Sequence, residues 1–347
     1  MKKYLLITLI VALSLALFSC SDDSPTDESE NGDLHFGIYG GDLRPQCTVV
    51  LDRTDLVSPA TVDTANWGEP RKLGPSINTD CPEDDAEISD DGQILFYYGS
   101  PVEGPDDSEI LTGTTGVYYA MRTGGPGEFG QSKFIDLRQN TAVGAGDGHP
   151  RHASVAGKIF FHSTRAENTG YQQSVPVDDP VDIYCADFTG TEAGPAQNLG
   201  TPINSVYLDG EPEITPDGTI LYFASNRPGG VGKGDIYRSE YSNGQWSAPV
   251  NIGEPINTVD NDSQPAFAAD DPNTIYFTSD RNNIGAAIYR SHFNGVEWET
   301  PVLVLRGQVG SASLTADGSL LYFVHVQTDN TPGDPVFGAD IYYVVRK

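Results

Sequence analysis

The chain has 347 residues, of which 49 are acidic and 20 basic, giving a net charge of −29. So acidic a surface repels phosphate backbones and excludes nucleic acid as a partner; it leaves divalent cations, a basic partner or plain solubility as its uses. With 38 Gly and 24 Pro and few long helical patterns, the composition points to an all-β body.

The first nineteen residues read as an address rather than as part of the fold. Lys2 and Lys3 precede an apolar run over residues 5–18 broken only by Thr8 and Ser14. The run is short of the ~20 residues a membrane span needs, and its basic start suits a secretory signal. Leu17-Phe18-Ser19-Cys20 resembles the lipobox of bacterial lipoproteins. The resemblance implies removal of residues 1–19, lipid on Cys20, and an outer-membrane lipoprotein of the cell envelope on its periplasmic or surface face. Residues 20–34 are acidic and poor in apolar side chains, as expected of a disordered tether. Ser21-Asp22-Asp23 is similar, over three residues, to the acidic surface-export signal of Bacteroidetes lipoproteins.

Residues 35–66 form an N-terminal extension, and internal similarity governs residues 67–347. Cys47 and Cys81 are the expected pair if a disulfide forms, because Cys185 falls inside a predicted strand and is left as an odd thiol. There is no C-x-x-C, so a cysteine zinc site is unsupported.

The repeat is clearest from Glu211 onward. Glu211-Pro212-Glu213-Ile214-Thr215 leads through Pro216-Asp217-Gly218 to Ile220-Leu221-Tyr222-Phe223. Ser225-x-Arg227, Asp235-Ile236-Tyr237, Asn243-Gly244 and Trp246-x-x-Pro249 follow. A second copy starts at Gln264-Pro265, and weaker ones near Glu87, His149 and Ala316. A period in the fifties marks a repeat architecture. Asp-Gly and Asn-Gly are read as two-residue hairpin turns with both central residues at positive φ. The short apolar run between turns suits a strand buried on both faces. Four such strands per unit, closed into a ring, make a β-propeller of four-stranded antiparallel blades. Five sets of three strands are counted, and a six-blade ring with one irregular blade stays open. Fourth strands are expected near Lys133, Pro195, Trp246 and Trp298. The chain ends after a third strand, so a strand near Trp67 is expected to complete the last blade and protect its edge.

The pattern P-D-G-x-x-L-Y-F-x-S-x-R, then D-I-Y, with W-x-x-P and P-I-N between units, resembles the WD40-like repeats of TolB-type propellers. It covers residues 67–347 and implies fold and envelope location, while one fold hosts many activities.

Alignment on Pro150, Pro212 and Pro265 places Glu83, Asp147, Asp209 and Asp262 at one equivalent position, with Val309 in the fifth blade. A ring of carboxylates at a channel mouth either stays solvated or recruits a cation, and Ca²⁺ is the candidate cofactor, since it takes oxygen ligands. The same residue type is also favoured in turns. Asp85, His149, Arg151, Glu211 and Gln264, on the same innermost strands, are candidate ligand contacts. His149, Arg151, His152 and His162 cluster in the second blade and are the candidates for acid–base chemistry. Two function classes result: a noncatalytic propeller binding an envelope protein or glycan, and a glycan-active enzyme, a polysaccharide lyase or glycosidase, built on the second-blade cluster. The recurring Ser-x-Arg is expected to be structural, its arginines bonding to neighbouring loops.

Overall fold

A computed structural model describes residues 59–79, 83–99, 116–137, 147–165, 167–169, 181–328 and 337–347. The signal, Cys20, the acidic tether and the Cys47–Cys81 pairing lie outside the described residues. Two short strands come first, β1 (Ala60–Thr61) and β2 (Arg71–Lys72). Blade one is β3 (Glu83–Ile88), β4 (Ile94–Gly99), β5 (Gly116–Met121) and β6 (Lys133–Phe134). Blade two is β7 (Asp147–Ala153), β8 (Lys158–Ser163), β9 (Asp182–Asp187) and β10 (Gln197–Asn198). Blade three is β11 (Asp209–Ile214), β12 (Ile220–Ser225) and β13 (Asp235–Ser242), followed by β14 (Gln245–Trp246) and β15 (Val250–Asn251). Blade four is β16 (Asp262–Ala268), β17 (Asp271–Ser279), β18 (Ala287–His292) and β19 (Val302–Arg306). Blade five is β20 (Val309–Leu314), β21 (Leu320–Thr328) and β22 (Phe337–Val345).

All strand pairs in these sheets are antiparallel, and the described residues contain no α-helix. The innermost strands β3, β7, β11, β16 and β20 pack each on the next and the last on the first, so the ring has five blades. Closure is as expected: β2 pairs with β22, and Trp67 bridges Arg346 just before it. The chain starts contributing earlier than residue 67, because β1 adds a fifth strand to the outer edge of blade four by pairing with β19. This covers an edge that would otherwise present free backbone groups.

Two turn readings need correction. Asn243 and Gly244 both have positive φ, as a tight hairpin turn requires, but at 216–219 only Gly218 does. There Asp217 accepts hydrogen bonds from Thr215 Oγ1 at 2.6 Å and the Thr219 N–H at 3.0 Å, holding a wider turn that leaves the aspartate in ordinary backbone. Asp91 and Asp317 do the same in blades one and five. Trp246 does not begin the fourth strand of blade three. It extends the β13 hairpin as β14, and the fourth strand is β15, because Asn251 and Val250 are the residues in register with Tyr237 and Arg238.

Two repeat signatures gain a physical cause. The P-I-N asparagines Asn204 and Asn257, and Asn78 in the related Pro75-Ser76-Ile77-Asn78, are buried, and each clamps a third strand. In every case Oδ1 accepts the N–H of the D-I-Y isoleucine (Ile341, Ile183, Ile236) and Nδ2 donates to its carbonyl, at 2.8–2.9 Å. The D-I-Y tyrosine stacks on the strand-two phenylalanine in Phe161–Tyr184, Phe223–Tyr237, Phe277–Tyr289 and Phe323–Tyr342. In blades two to four the Ser-x-Arg guanidinium caps that stack as a cation–π partner.

Candidate functional site

Each innermost strand carries a register shift, and the residue at it lies in the left-handed region: Asp85, His149, Glu211, Gln264 and Ser311, with φ between 48° and 54°. For residues other than glycine this costs about 1–2 kcal/mol each, so the surrounding contacts must hold it. They do so as a circuit around the axis, with a hydrogen bond at every blade junction. The His149 N–H donates to Asp85 Oδ2 at 2.8 Å, and the Glu211 N–H to His162 Nδ1 at 3.3 Å. The Gln264 N–H donates to Glu211 Oε2 at 3.1 Å, and the Ser311 N–H to Gln264 Oε1 at 2.8 Å. Ser311 Oγ returns to Asp85 Oδ1 at 3.4 Å. Gly148 and Gly210 leave room for this. A Cβ on Gly148 would sit 2.8 Å from His162 Nε2 and 3.0 Å from Asp85 Oδ2.

The electrostatics follow from burial. Burial raises the Asp85 carboxyl, but the His149 charge and ring hydrogen bond, with His162 beside them, outweigh it and hold it below its ordinary value. Burial likewise opposes the His149 imidazolium, and Asp85, Glu211 and Asp84 reverse this, so His149 is raised. His162 has burial and the His149 charge against it and falls to about 4. It is therefore neutral, as an acceptor at Nδ1 must be. Burial lifts Glu211 to about 7, and burial with the Asp85 charge lifts Asp84 well above the carboxylate range.

One step further along the strands lies a second layer: Glu87, Arg151, Glu213, Ala266 and Ser313. Arg151 is ion-paired with Glu87 of blade one and Glu213 of blade three. It also donates to Ser313 Oγ of blade five at 2.8 Å, and that hydroxyl donates to Glu87 at 2.8 Å. Phe267 N–H donates to Glu213 Oε1 at 3.0 Å. Blade four contributes no polar side chain to this layer, since Ala266 stands where the others have Glu, Arg, Glu and Ser. Small residues continue at Ala268 and Ala269, and a cavity of about 460 Å³ opens there. Glu87, Arg151 and Glu213 form its polar floor. Tyr222, Phe267, Phe293 and Trp298 form aromatic walls between blades three and four, and exposed Pro272 and Asn273 form the rim.

The structure divides the candidate residues differently from the sequence reading. Asp85, His149, Glu211 and Gln264 are brought together, but in the axial ring, where they bond to one another. Of the proposed ligand contacts, Arg151 alone borders the cavity among the described residues. His162 joins the ring, whereas His152 lies outside it, bordering the cavity and packing against Phe96 and Phe188, with ring centroids 5.7 and 5.3 Å away. Burial lowers the His152 imidazolium.

The proposed cation ring is engaged inside its own blades. Asp209 is paired with Arg227 at 2.5 Å, Asp262 with Arg281 at 2.6 Å and Asp147 with Arg165 at 3.1 Å. Glu83 accepts from the Thr79 N–H at 3.1 Å. The Ser-x-Arg arginines also donate to the preceding loop, at the carbonyls of Leu137, Ile203 and Ile256, so the arginine and carboxylate motifs are one device. Val309 breaks the series in blade five. Among the described residues no group of three or more His, Cys, Asp or Glu is placed to hold a metal ion.

Sequence reasoning named Arg151 but missed Ser311, the rest of the second layer and the cavity. The signal was present: the position four residues after each mouth carboxylate reads Glu87, Arg151, Glu213, Ala266 and, after Val309, Ser313.

No family model matches the chain, and no curated protein matches it. Among solved structures, one assigned as TolB from Agrobacterium tumefaciens aligns over 83% of this chain and 90% of its own, at 15% identity and a TM-score of 0.44. An α-L-arabinofuranosidase from Lactobacillus brevis aligns over 78% and 92%, at 14% identity and 0.45. A family 117 glycoside hydrolase from Zobellia galactanivorans aligns over 81% and 90%, at 11% identity and 0.48. Similarity at this level carries no information on ligand or chemistry.

Proposed function

We propose that this chain is a noncatalytic binding module of the cell envelope whose cavity between blades three and four takes a short saccharide or the end of a glycan. The observation that carries the reading is the composition of that cavity: aromatic walls with a few convergent charged groups at the floor, in a space of about 460 Å³. Pockets of this size and mixture suit small ligands that present an apolar face and several polar groups. A pyranose does both, laying its C–H face on an aromatic ring and its hydroxyls on carboxylate and guanidinium.

The enzyme reading has less to draw on. His149 and His162 bond within the axial ring, and Glu87 and Glu213 share one guanidinium, so each is engaged before a sugar arrives. Export and lipidation on Cys20 belong to the same proposal and rest on the lipobox-like sequence, with the acidic tether holding the propeller off the membrane.

Calorimetry of the full chain in detergent against a panel of oligosaccharides tests the binding reading. Saturable binding of at least one saccharide, lost in Trp298→Ala, is the expected result; hydrolysis or elimination of a bound saccharide would replace it with the enzyme reading. Fatty-acid labelling that survives Cys20→Ser would overturn the anchor.

A further inference from the structure

The cavity floor is unbalanced in charge. Two buried carboxylates, Glu87 and Glu213, face one guanidinium, Arg151. The other charged groups along the lining do not restore the balance. Asp90 adds a carboxylate, bonded to Ser154 Oγ at 2.5 Å. Arg238 adds a cation, but its Nη1 donates to Glu240 at 2.7 Å and its Nε to the Tyr222 hydroxyl at 3.2 Å. His152 is shifted toward its neutral form. A buried charge without a counter-charge is costly and is met either by a proton or by a cation. Burial does push Glu213 upward despite Arg151, as expected of a site short of positive charge.

The walls favour the same kind of occupant. Tyr222 and Phe267 lie 4.7 Å apart between centroids and Phe293 and Trp298 5.2 Å apart, so four π-systems border the space above the carboxylates. Aromatic faces attract cations through their quadrupoles, most strongly when the cation is desolvated.

We propose that the occupant of this cavity carries a protonated amine, as an unacetylated amino sugar does, with Glu213 and Glu87 receiving the ammonium and the aromatic walls holding the ring. This rests on the saccharide reading for the body of the ligand, and on the charge imbalance and the aromatic walls for the amine.

The test is calorimetry of the full chain in detergent at pH 6.5, with chitobiose in its free-amine form, its N-acetylated form and cellobiose as probes. Benzylamine and benzyl alcohol form a second pair. The free-amine disaccharide should bind about tenfold or more tightly than the other two, a difference of about 1.4 kcal/mol, and Glu213→Gln should remove that preference. Should that variant not fold, Glu87→Gln reads the same loss. Equal or weaker binding of the free-amine form overturns the proposal while leaving the saccharide reading in place. Glu213-dependent binding of benzylamine over benzyl alcohol, with no saccharide bound, keeps the amine site and overturns the saccharide reading. No binding by any probe overturns both.

Discussion

Asp85 accepts two hydrogen bonds from His149, one from the main-chain N–H at 2.8 Å and one from ring Nδ1 at 2.9 Å. The pair joins blade one to blade two at the axis, and its two pKa shifts have opposite consequences. Asp85 is lowered, so its contribution to stability is present above the ordinary carboxylate range and is lost as pH falls through the folded value. His149 is raised, so its contribution is present below about 6.5 and is lost as pH rises past its folded value. His162, neutral down to about 4, also loses stability on the acid side. The pair therefore contributes most between the folded values of Asp85 and His149, which adds a peak to the melting temperature there. Asp85→Asn should flatten that peak, and a pH series of thermal melts reads both; a monotonic rise to pH 8 in the parent chain would contradict this account.

Glu211 offers a stabilising substitution. Its carboxyl, lifted to about 7 mainly by burial, binds a proton in the fold at pH values where the unfolded chain has released it, so stability falls as pH rises from 4.5 to about 7 and levels off above that. Glu211→Gln keeps an oxygen for the Gln264 N–H without the charge. It should raise stability at pH 8 by up to about 3 kcal/mol and change it little at pH 4.5; denaturant titrations at the two pH values measure the difference.

The carboxylate–arginine pairs should behave as buried ion pairs. Removing one partner, as in Arg281→Gln or Asp262→Val, strands the other and should cost about 3–5 kcal/mol. Blade five already carries Val309 at the carboxylate position and Gln327 at the arginine position in sequence. The double variant Asp262→Val with Arg281→Gln should therefore cost clearly less than the two singles together. A double-mutant cycle by chemical denaturation gives the coupling.

Ring closure depends on Asn78. Its side chain bonds to Ile341 N–H and carbonyl and to the Leu73 carbonyl, tying the N-terminal strand to the last one. Asn78→Ala leaves these buried groups unmet and should cost about 1–3 kcal/mol. Limited proteolysis should then cut near residues 59–79 before the rest of the ring.

Ala268 and Ala269 of blade four border the cavity. Ala268→Trp should fill it, abolishing saccharide binding while leaving the fold intact by circular dichroism. Retained binding would place the ligand elsewhere.

The sequence by itself determined the propeller of four-stranded blades, its closure near Trp67 and the identity of the axial strands, while the packing of β20 on β3 decided five blades rather than six. Those features repeat, and a repeated Pro-Asp-Gly, Ser-x-Arg or Pro-Ile-Asn is legible one copy at a time. Its carboxylate series was also correctly aligned, but alignment cannot say whether Asp209 faces a channel or its own Arg227. That choice depends on tertiary contacts, which pair Asp147, Asp209 and Asp262 with arginines of their own blades and leave Glu83 accepting from Thr79. The axial circuit was hidden for a related reason: Asp85, His149, Glu211, Gln264 and Ser311 share no chemistry beyond a side-chain hydrogen-bonding atom, and their common feature is a left-handed backbone. The cavity, finally, opens beside Ala268 and Ala269, between side chains of several blades that are far apart in sequence. An absence of volume has meaning only once the residues around it are in place.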